Sequence, residues 1–198
     1  VRKMFYKLYE NDLVSFSRKK DREKGWYIYY WSFNNDRIKD LFINLKERKI
    51  EILKNAVKVA HALEISMPKV ALLSAIETIN PDLPSTNDAA ILTKMNQRGQ
   101  ITGCIVDGPL ALDNAISPQA AQIKGIESPV AGDADILLCP DIESANMLAK
   151  ATTYFAGLRL AHVLVGAKVP VLIPSRSDSA DSKLLSIALG KVVQARKA

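Results

Sequence analysis

Arg176 is the residue of this sequence best suited to chemistry on a phosphate group. It follows the apolar segment Val169–Ile173, and Ser175 stands directly before it. A phosphate dianion must be neutralised and held in line with the group it reacts with, and the planar guanidinium fork of arginine matches phosphate oxygens. Its position after a strand makes Arg176 a candidate for binding an anionic group such as phosphate. The alternative is a surface arginine that pairs with Asp178 or Asp181.

Two further segments predict tight turns that bring backbone close to a ligand. Ser128–Gly132 is one, because its glycine lets backbone amides approach a bound group. Asp107–Pro109 is the other, and it is expected directly after a strand. For both segments the alternative is a plain turn.

The elements that must position these residues alternate along the chain. Apolar, β-branched segments predict strands at Val70–Ser74, Cys104–Asp107, Ile136–Cys139, His162–Val165 and Val169–Ile173. Helical patterns lie between several of them, at Asn87–Asn96, Pro118–Lys124, Ala145–Phe155 and Asp181–Val193. This alternation is typical of an α/β fold with a mainly parallel sheet and helices on both faces. Ligands of such folds bind at the carboxyl ends of the strands.

Several classes of protein are excluded or disfavoured by what the sequence lacks. It has no GxxxxGK[ST], GxGxxG or GxSxG motif, which argues against common nucleotide-binding and hydrolase folds. Cys104 and Cys139 are too few for a zinc site or a disulfide scaffold and favour a reducing, cytoplasmic compartment. His61 and His162 are interpreted as core or surface residues, and no metal is expected. No apolar run reaches the roughly 18 residues that a membrane span needs.

The composition changes abruptly near Lys54. Residues 1–54 contain 14 Lys and Arg against 8 Asp and Glu, whereas residues 55–198 contain 13 of each. Residues 1–54 also contain 11 of the 13 aromatic residues, and all nine prolines follow them. We therefore predict two modules of different origin, 1–54 and 55–198.

The first module has the pattern of a helix, a hairpin and a long helix. Arg2–Val14 has helical spacing, Ser15–Lys20 and Trp26–Phe33 predict two strands, and Asn34 or Asn35 can cap the next helix. The tract GWYIYYW follows a charged turn. This stretch resembles the winged-helix domain of archaeal transcription factor E, although that family's first two helices and its zinc ribbon are missing.

The resemblance implies contact with RNA polymerase or promoter DNA through a basic hairpin. The basic residues that would face phosphates or an acidic protein surface are Arg18, Lys19, Lys20, Arg22 and Lys24. The alternative is that the aromatic residues pack on a strand face and the charges are solvated. Half of a winged helix is expected to bind little.

The second module carries four ordered motifs. They are KVALLSAIETINPDLPST, GQITGCIVDGPLALDNAIS, SPVAGDADILLCPDIESANML and PVLIPSRSDSADSKLLSIAL. They resemble the phosphate acetyltransferase/butyryltransferase family, with the butyryltransferase branch nearest in pattern, from about Asn55 to Ala198. The family moves an acyl group between coenzyme A and inorganic phosphate without a metal or prosthetic group, so no cofactor is expected.

The resemblance also implies a set of site residues. Ser175 and Arg176 match the family's Ser-Arg motif, in which serine steadies the transition state and arginine binds substrate. The family's acidic residue, six positions after that arginine, is Ser182 here. Asp181 and Asp178 lie nearby, and Asp181 is the candidate taken for the proton acceptor, with Asp178 as the alternative. The expected substrate-binding residues are Asp107, Gly108, Pro109, Ser128, Val130, Ala131, Gly132 and Asn146.

The family's first lobe has almost no counterpart in this sequence. The two modules meet inside ERKIEILKNAVKVAHAL, which predicts one continuous helix. We expect a fusion, natural or engineered, with weak or no turnover, retained binding of coenzyme A or phosphate, and self-association into a homo-oligomer. The competing hypotheses are a polymerase- or DNA-binding module and a chimeric scaffold without activity.

Overall fold

The computed structural model describes residues 14–20, 27–33 and 35–196. The backbone forms two compact units, Val1–Lys49 and Ile50–Ala198. Each unit has its own sheet, one of two strands and one of three.

The first unit contains the predicted hairpin. Strand β1, Val14–Lys20, pairs antiparallel with β2, Tyr27–Phe33. Helix α1 follows at Asn35–Ala62 and has 28 residues. The hairpin and the long helix are therefore confirmed. The helix predicted at Arg2–Val14 lies, except for its last residue, outside the described residues.

A three-stranded parallel sheet forms the centre of the second unit. Its strands are β3 (Lys69–Leu73), β4 (Ile105–Leu110) and β5 (Ile136–Leu138), in the spatial order β4-β3-β5. Parallel strands require crossover connections, which helices supply. Helix α2 (Pro84–Gln97) connects β3 to β4, and α3 (Leu112–Ile116) and α4 (Pro118–Ile123) connect β4 to β5. Helices α5 (Ile142–Tyr154) and α6 (Ala180–Ala195) follow β5. The predicted α/β fold is confirmed.

The central strand β3 buries side chains on both of its faces. Val70 and Leu72 belong to one apolar cluster, which includes Leu92 of α2. Ala71 and Leu73 belong to another, which includes Ala115 of α3. Successive strand residues point to opposite faces, so an unbroken apolar run such as VALL supports two cores. This explains why β3 shows no polar alternation.

The last two predicted strands were wrong. His162–Val165 and Val169–Ile173 form no ladder, and only one antiparallel bridge joins Leu164 to Val171. Leu164 is 55% exposed and Ile173 is 68% exposed. An apolar, β-branched run has strand propensity, but a strand forms only where a neighbouring backbone pairs with it. Within the described part of the chain these segments have only each other.

In the described ranges, no helix is both long and apolar enough to span a bilayer. In the same ranges, no group of three or more His, Cys, Asp or Glu residues is arranged to hold a metal ion.

Candidate functional site

The Ser175–Arg176 pair lies in a turn that Asp178 organises. A carboxylate oxygen of Asp178, Oδ2, accepts a hydrogen bond from the backbone N–H of Ser175 at 2.7 Å. The N–H of Asp178 in turn donates to the carbonyl of Ser175 at 3.1 Å. The Ser175 hydroxyl lies 3.0 Å from the hydroxyl of Ser177. These bonds hold Ser175 at the start of a tight turn directly before α6.

Arg176 is exposed and, within the described residues, has no hydrogen-bond or ion-pair partner. The pairing with Asp178 or Asp181 that the sequence offered as an alternative does not form. Asp181 is also exposed and lies in the first turn of α6. Ser179 caps this helix, since its hydroxyl accepts from the N–H of Ser182 at 3.1 Å. Ser182 is thus part of the helix start.

His162 approaches the same carboxylate, a contact that the sequence interpretation missed. Its Nε2 lies 3.1 Å from Oδ2 of Asp178, whose side chain is only 10% exposed. The contact has the length of an ion pair, but it does not have the alignment of a hydrogen bond, and Nε2 is buried. The backbone N–H of His162 donates to Oγ of Ser186, a fully buried residue of α6, at 2.9 Å. No local sequence signal links His162 to Asp178, because the contact depends on tertiary folding.

Asp107, Gly108 and Pro109 lie inside β4 rather than in a turn after it. The register pairs Ala71 with Asp107 and Leu73 with Leu110, so β4 uses one extra residue here, as a bulge does. A Cβ atom on Gly108 would lie 2.7 Å from Cβ of Leu72. Glycine is therefore required at this position by close strand packing. Oδ1 of Asp107 accepts from the N–H of Gly108 at 2.9 Å.

The Ser128–Gly132 segment is a tight turn, and it precedes β5. The Ser128 hydroxyl accepts from the N–H groups of Val130 and Ala131 at 3.1 and 3.0 Å. The N–H of Gly132 donates to the carbonyl of Asn114 at 2.8 Å. Three amides of the turn are thus bonded within the protein, and Val130 is fully buried. In this structure the turn ties β5 to α3.

Asn146 is exposed on α5, the helix that follows β5. Asp141 caps this helix, and its Oδ1 accepts from the N–H and the hydroxyl of Ser144, both at 2.7 Å. These hydrogen bonds from Ser144 lower the pKa of the Asp141 carboxyl. The cap stays charged at neutral pH and fixes the start of the helix that carries Asn146.

The predicted residues fall into separate groups. In the described ranges, no hydrogen bond or ion pair joins the Ser175–Arg176 turn to Asp107, Ser128 or Asn146. Arg18, Lys19 and Lys20 are the last three residues of β1. Arg22 and Lys24 lie outside the described residues.

Comparison with known proteins identifies the second unit. A family model described as "Phosphate acetyl/butaryl transferase" matches residues 45–190, which is most of the chain. The chain belongs to this family. A second model, "TFIIE alpha subunit", matches residues 1–62. The two matches overlap in residues 45–62, which lie in α1, and the predicted resemblances of both modules are therefore supported.

Relatives of this family match at high identity. The chain is 55% identical over 146 residues to a phosphate acetyltransferase of Thermotoga maritima, covering 74% of the chain and 50% of the relative. It is 51% identical over 165 residues to a phosphate butyryltransferase of Clostridium acetobutylicum, covering 83% and 54%. The chain thus spans about half the length of the curated relatives it matches.

A solved structure supports the same assignment. A branched-chain phosphotransacylase from Enterococcus faecalis aligns with a TM-score of 0.69 and 33% identity. The alignment covers 91% of this chain and 61% of that one. The phosphate acetyl/butyryltransferase family thus accounts for the α/β fold.

A polar network inside this family unit was not foreseen from the sequence. Lys124 bridges Glu77 and Asp113, with Nζ–O distances of 3.2 and 3.0 Å. The hydrogen bond between Lys124 and Asp113 lowers the pKa of the Asp113 carboxyl and raises that of the Lys124 amine. Asn114, which is fully buried, donates to Glu77 at 3.3 Å. The network fixes the loop after β3 to the helices after β4.

The two cysteines differ from reactive thiols. Burial raises the pKa of both the Cys104 and the Cys139 thiol. Since the thiolate is the nucleophile, neither cysteine is primed for covalent chemistry at neutral pH.

Proposed function

We propose that the Ser175–Arg176 turn is the phosphate-binding part of a phosphate acyltransferase site. The reaction moves an acyl group between coenzyme A and inorganic phosphate. The observation that carries the proposal is the exposed guanidinium of Arg176, which has no partner in the described ranges and lies within the matched family segment. A guanidinium with no carboxylate partner is available to bind two phosphate oxygens at once.

The chemistry balances with the residues of this turn. An oxygen of hydrogen phosphate attacks the thioester carbonyl, the new C–O bond forms and the C–S bond breaks, and the proton that the phosphate loses passes to the leaving thiolate. Arg176 holds the phosphate, and the Ser175 hydroxyl donates to the carbonyl oxygen as negative charge develops on it. In the reverse direction Asp181 accepts the thiol proton of coenzyme A. No metal or organic cofactor enters these steps, and coenzyme A and phosphate are substrates.

The remaining candidates contribute to substrate binding in this proposal. The exposed amide of Asn146 contributes to coenzyme A binding here. In the two segments predicted as tight turns the contribution falls to the residues that are not buried, since Pro109 and Val130 are buried. Because the chain spans about half of its relatives, we propose binding with weak or no turnover. Exposed apolar residues such as Phe155, 92% exposed, support self-association with a second copy.

Replacing Arg176 with lysine tests this assignment. Lysine keeps the positive charge and loses the planar fork, so Arg176→Lys should weaken binding of inorganic phosphate by about 1–3 kcal/mol, roughly 5- to 150-fold. The free energy of unfolding without ligand should hardly change, because an exposed side chain without a partner contributes little to it. Calorimetric titration with phosphate and a thermal melt measure the two effects.

Arg159→Lys is the matched control, since Arg159 is also exposed and lies within the range matched by the family model. It should leave phosphate affinity unchanged. Equal phosphate affinity in the wild type and in Arg176→Lys would remove Arg176 from the site.

A second candidate function is favoured by the match of residues 1–62 to the TFIIE alpha subunit model. In this alternative the basic residues Arg18, Lys19, Lys20, Arg22 and Lys24 bind DNA or an acidic surface of RNA polymerase. The α/β unit is then a carrier. A chimeric scaffold without activity would show neither coenzyme A nor DNA binding.

A further inference from the structure

The carboxylate of Asp178 has two neighbours on one oxygen atom. Oδ2 accepts the Ser175 N–H at 2.7 Å and lies 3.1 Å from Nε2 of His162. The Asp178 side chain is 10% exposed, so little water compensates its charge. A nearly buried carboxylate is stable only when other groups supply compensating positive charge or hydrogen bonds. Ser175 supplies such a hydrogen bond here, and Nε2 of His162 is the ring nitrogen that lies at ion-pair distance from the same oxygen.

Arg176 lies two residues before Asp178 and does not pair with it. A guanidinium so near an anionic side chain normally forms a charge-assisted contact. Arg176 is instead exposed, with no partner in the described part of the chain. The difference is explained if the carboxylate is already occupied on the side that Arg176 would approach.

The backbone of His162 is hydrogen-bonded to helix α6. Its N–H donates to Oγ of Ser186 at 2.9 Å, and Ser186 donates onward to the carbonyl of Ser182 at 2.7 Å. Ser186 is fully buried in α6. His162 is thus fastened to the helix that follows the Ser175–Arg176 turn. Nε2 of His162 lies at ion-pair distance from Oδ2 of Asp178 without the alignment of a hydrogen bond.

We propose that His162 is a positioning residue that occupies Asp178 and so keeps the guanidinium of Arg176 free for an anionic oxygen ligand. The same arrangement keeps Asp178 available to accept the hydrogen bond from the backbone N–H of Ser175. The inference rests on the proposed function only in naming phosphate as the anion. It assigns to His162 a role in substrate affinity without contact to substrate.

Two substitutions and their combination test the proposal on the full chain. His162→Leu removes the compensating group, so Asp178 should capture Arg176, and affinity for inorganic phosphate should fall about tenfold, the scale of one charge-assisted contact. Asp178→Asn keeps an acceptor for Ser175 and removes the charge that would capture Arg176, so it supplies the background for the double variant. The double variant His162→Leu, Asp178→Asn should regain the phosphate affinity that His162→Leu loses. A merely structural role for His162 predicts no such rescue.

A second measurement does not depend on phosphate. The Nε–H NMR signal of Arg176 should shift and exchange more slowly in His162→Leu, as expected for a paired guanidinium, and should return to the wild-type position in the double variant. His162→Ala, which also removes the ring nitrogen, should behave as His162→Leu does and serves if the leucine variant does not fold. Asp82→Asn is the control, because Asp82 is an exposed carboxylate in the loop before α2.

The outcomes separate the two proposals. An unchanged Arg176 signal in both His162 variants would overturn the role of His162, whatever phosphate does. A shifted and rescued signal in a chain that binds no phosphate would support the role of His162 and contradict the proposed function. Loss of phosphate affinity in His162→Leu without rescue by Asp178→Asn would also overturn the inference.

Discussion

At the candidate site, the residue type at a position is determined by packing against its neighbours as much as by the chemistry of a ligand. Gly108 illustrates this, since it lies in a segment predicted to bind substrate and also packs closely against β3. A Cβ there would lie 2.7 Å from Cβ and 2.8 Å from the carbonyl oxygen of Leu72. Its own carbonyl accepts from Oγ1 of Thr93 at 3.2 Å. The residue type at this position is thus required by packing before any ligand binds.

Gly108→Ala should destabilise the fold for this reason. The added methyl group has to push β4 away from β3, and such overpacking typically lowers the free energy of unfolding by about 1–3 kcal/mol. Urea denaturation measures the change. Gly99→Ala is the control, because an added Cβ there has nothing within 4 Å and only the positive φ of 73° opposes it. A smaller loss for Gly108→Ala than for Gly99→Ala would contradict the packing argument.

At the scale of elements, periodicity predicted most of the second unit. Helix α2 was expected at Asn87–Asn96 and runs over Pro84–Gln97, because proline is favoured in the first turn of a helix. Strands β3 and β5 were expected close to their observed positions. The strand predictions failed where an apolar run needs a neighbouring strand that the local sequence does not reveal, as at Val169–Ile173. The contact between His162 and Asp178 was missed for the same reason.

The basic hairpin is the element that distinguishes the second candidate function. If Arg18, Lys19, Lys20, Arg22 and Lys24 bind a polyanion, raising salt from 50 to 200 mM should weaken the binding about tenfold or more, through release of counterions. Replacing all five with serine should abolish this binding. Fluorescence anisotropy with a short DNA duplex at two salt concentrations measures both effects.

A variant of the second unit provides the control for this experiment. Lys183→Ser and Lys191→Ser together remove positive charge from α6 and should leave DNA affinity unchanged. Binding that does not depend on salt, or no binding, would remove the hairpin from the functional account.

At the scale of the whole molecule, two family matches share one helix. The matches to the two family models overlap in residues 45–62, and α1 runs without interruption from Asn35 to Ala62. The break in composition near Lys54 therefore lies inside one uninterrupted helix. The sequence could predict both modules because each retains local motifs. It could not predict which residues of the site approach each other, since that depends on long-range packing.

Titration of the wild-type chain with coenzyme A, followed by calorimetry, tests the central claim most directly. The account predicts saturable binding with a one-to-one stoichiometry and a rise in melting temperature that grows with ligand concentration, because a ligand that binds only the folded state stabilises it. Dephosphorylated and adenine-only analogues show which part of coenzyme A is bound. The absence of heat and of thermal stabilisation at millimolar coenzyme A, in a chain shown by circular dichroism to be folded, would contradict the proposed coenzyme A site.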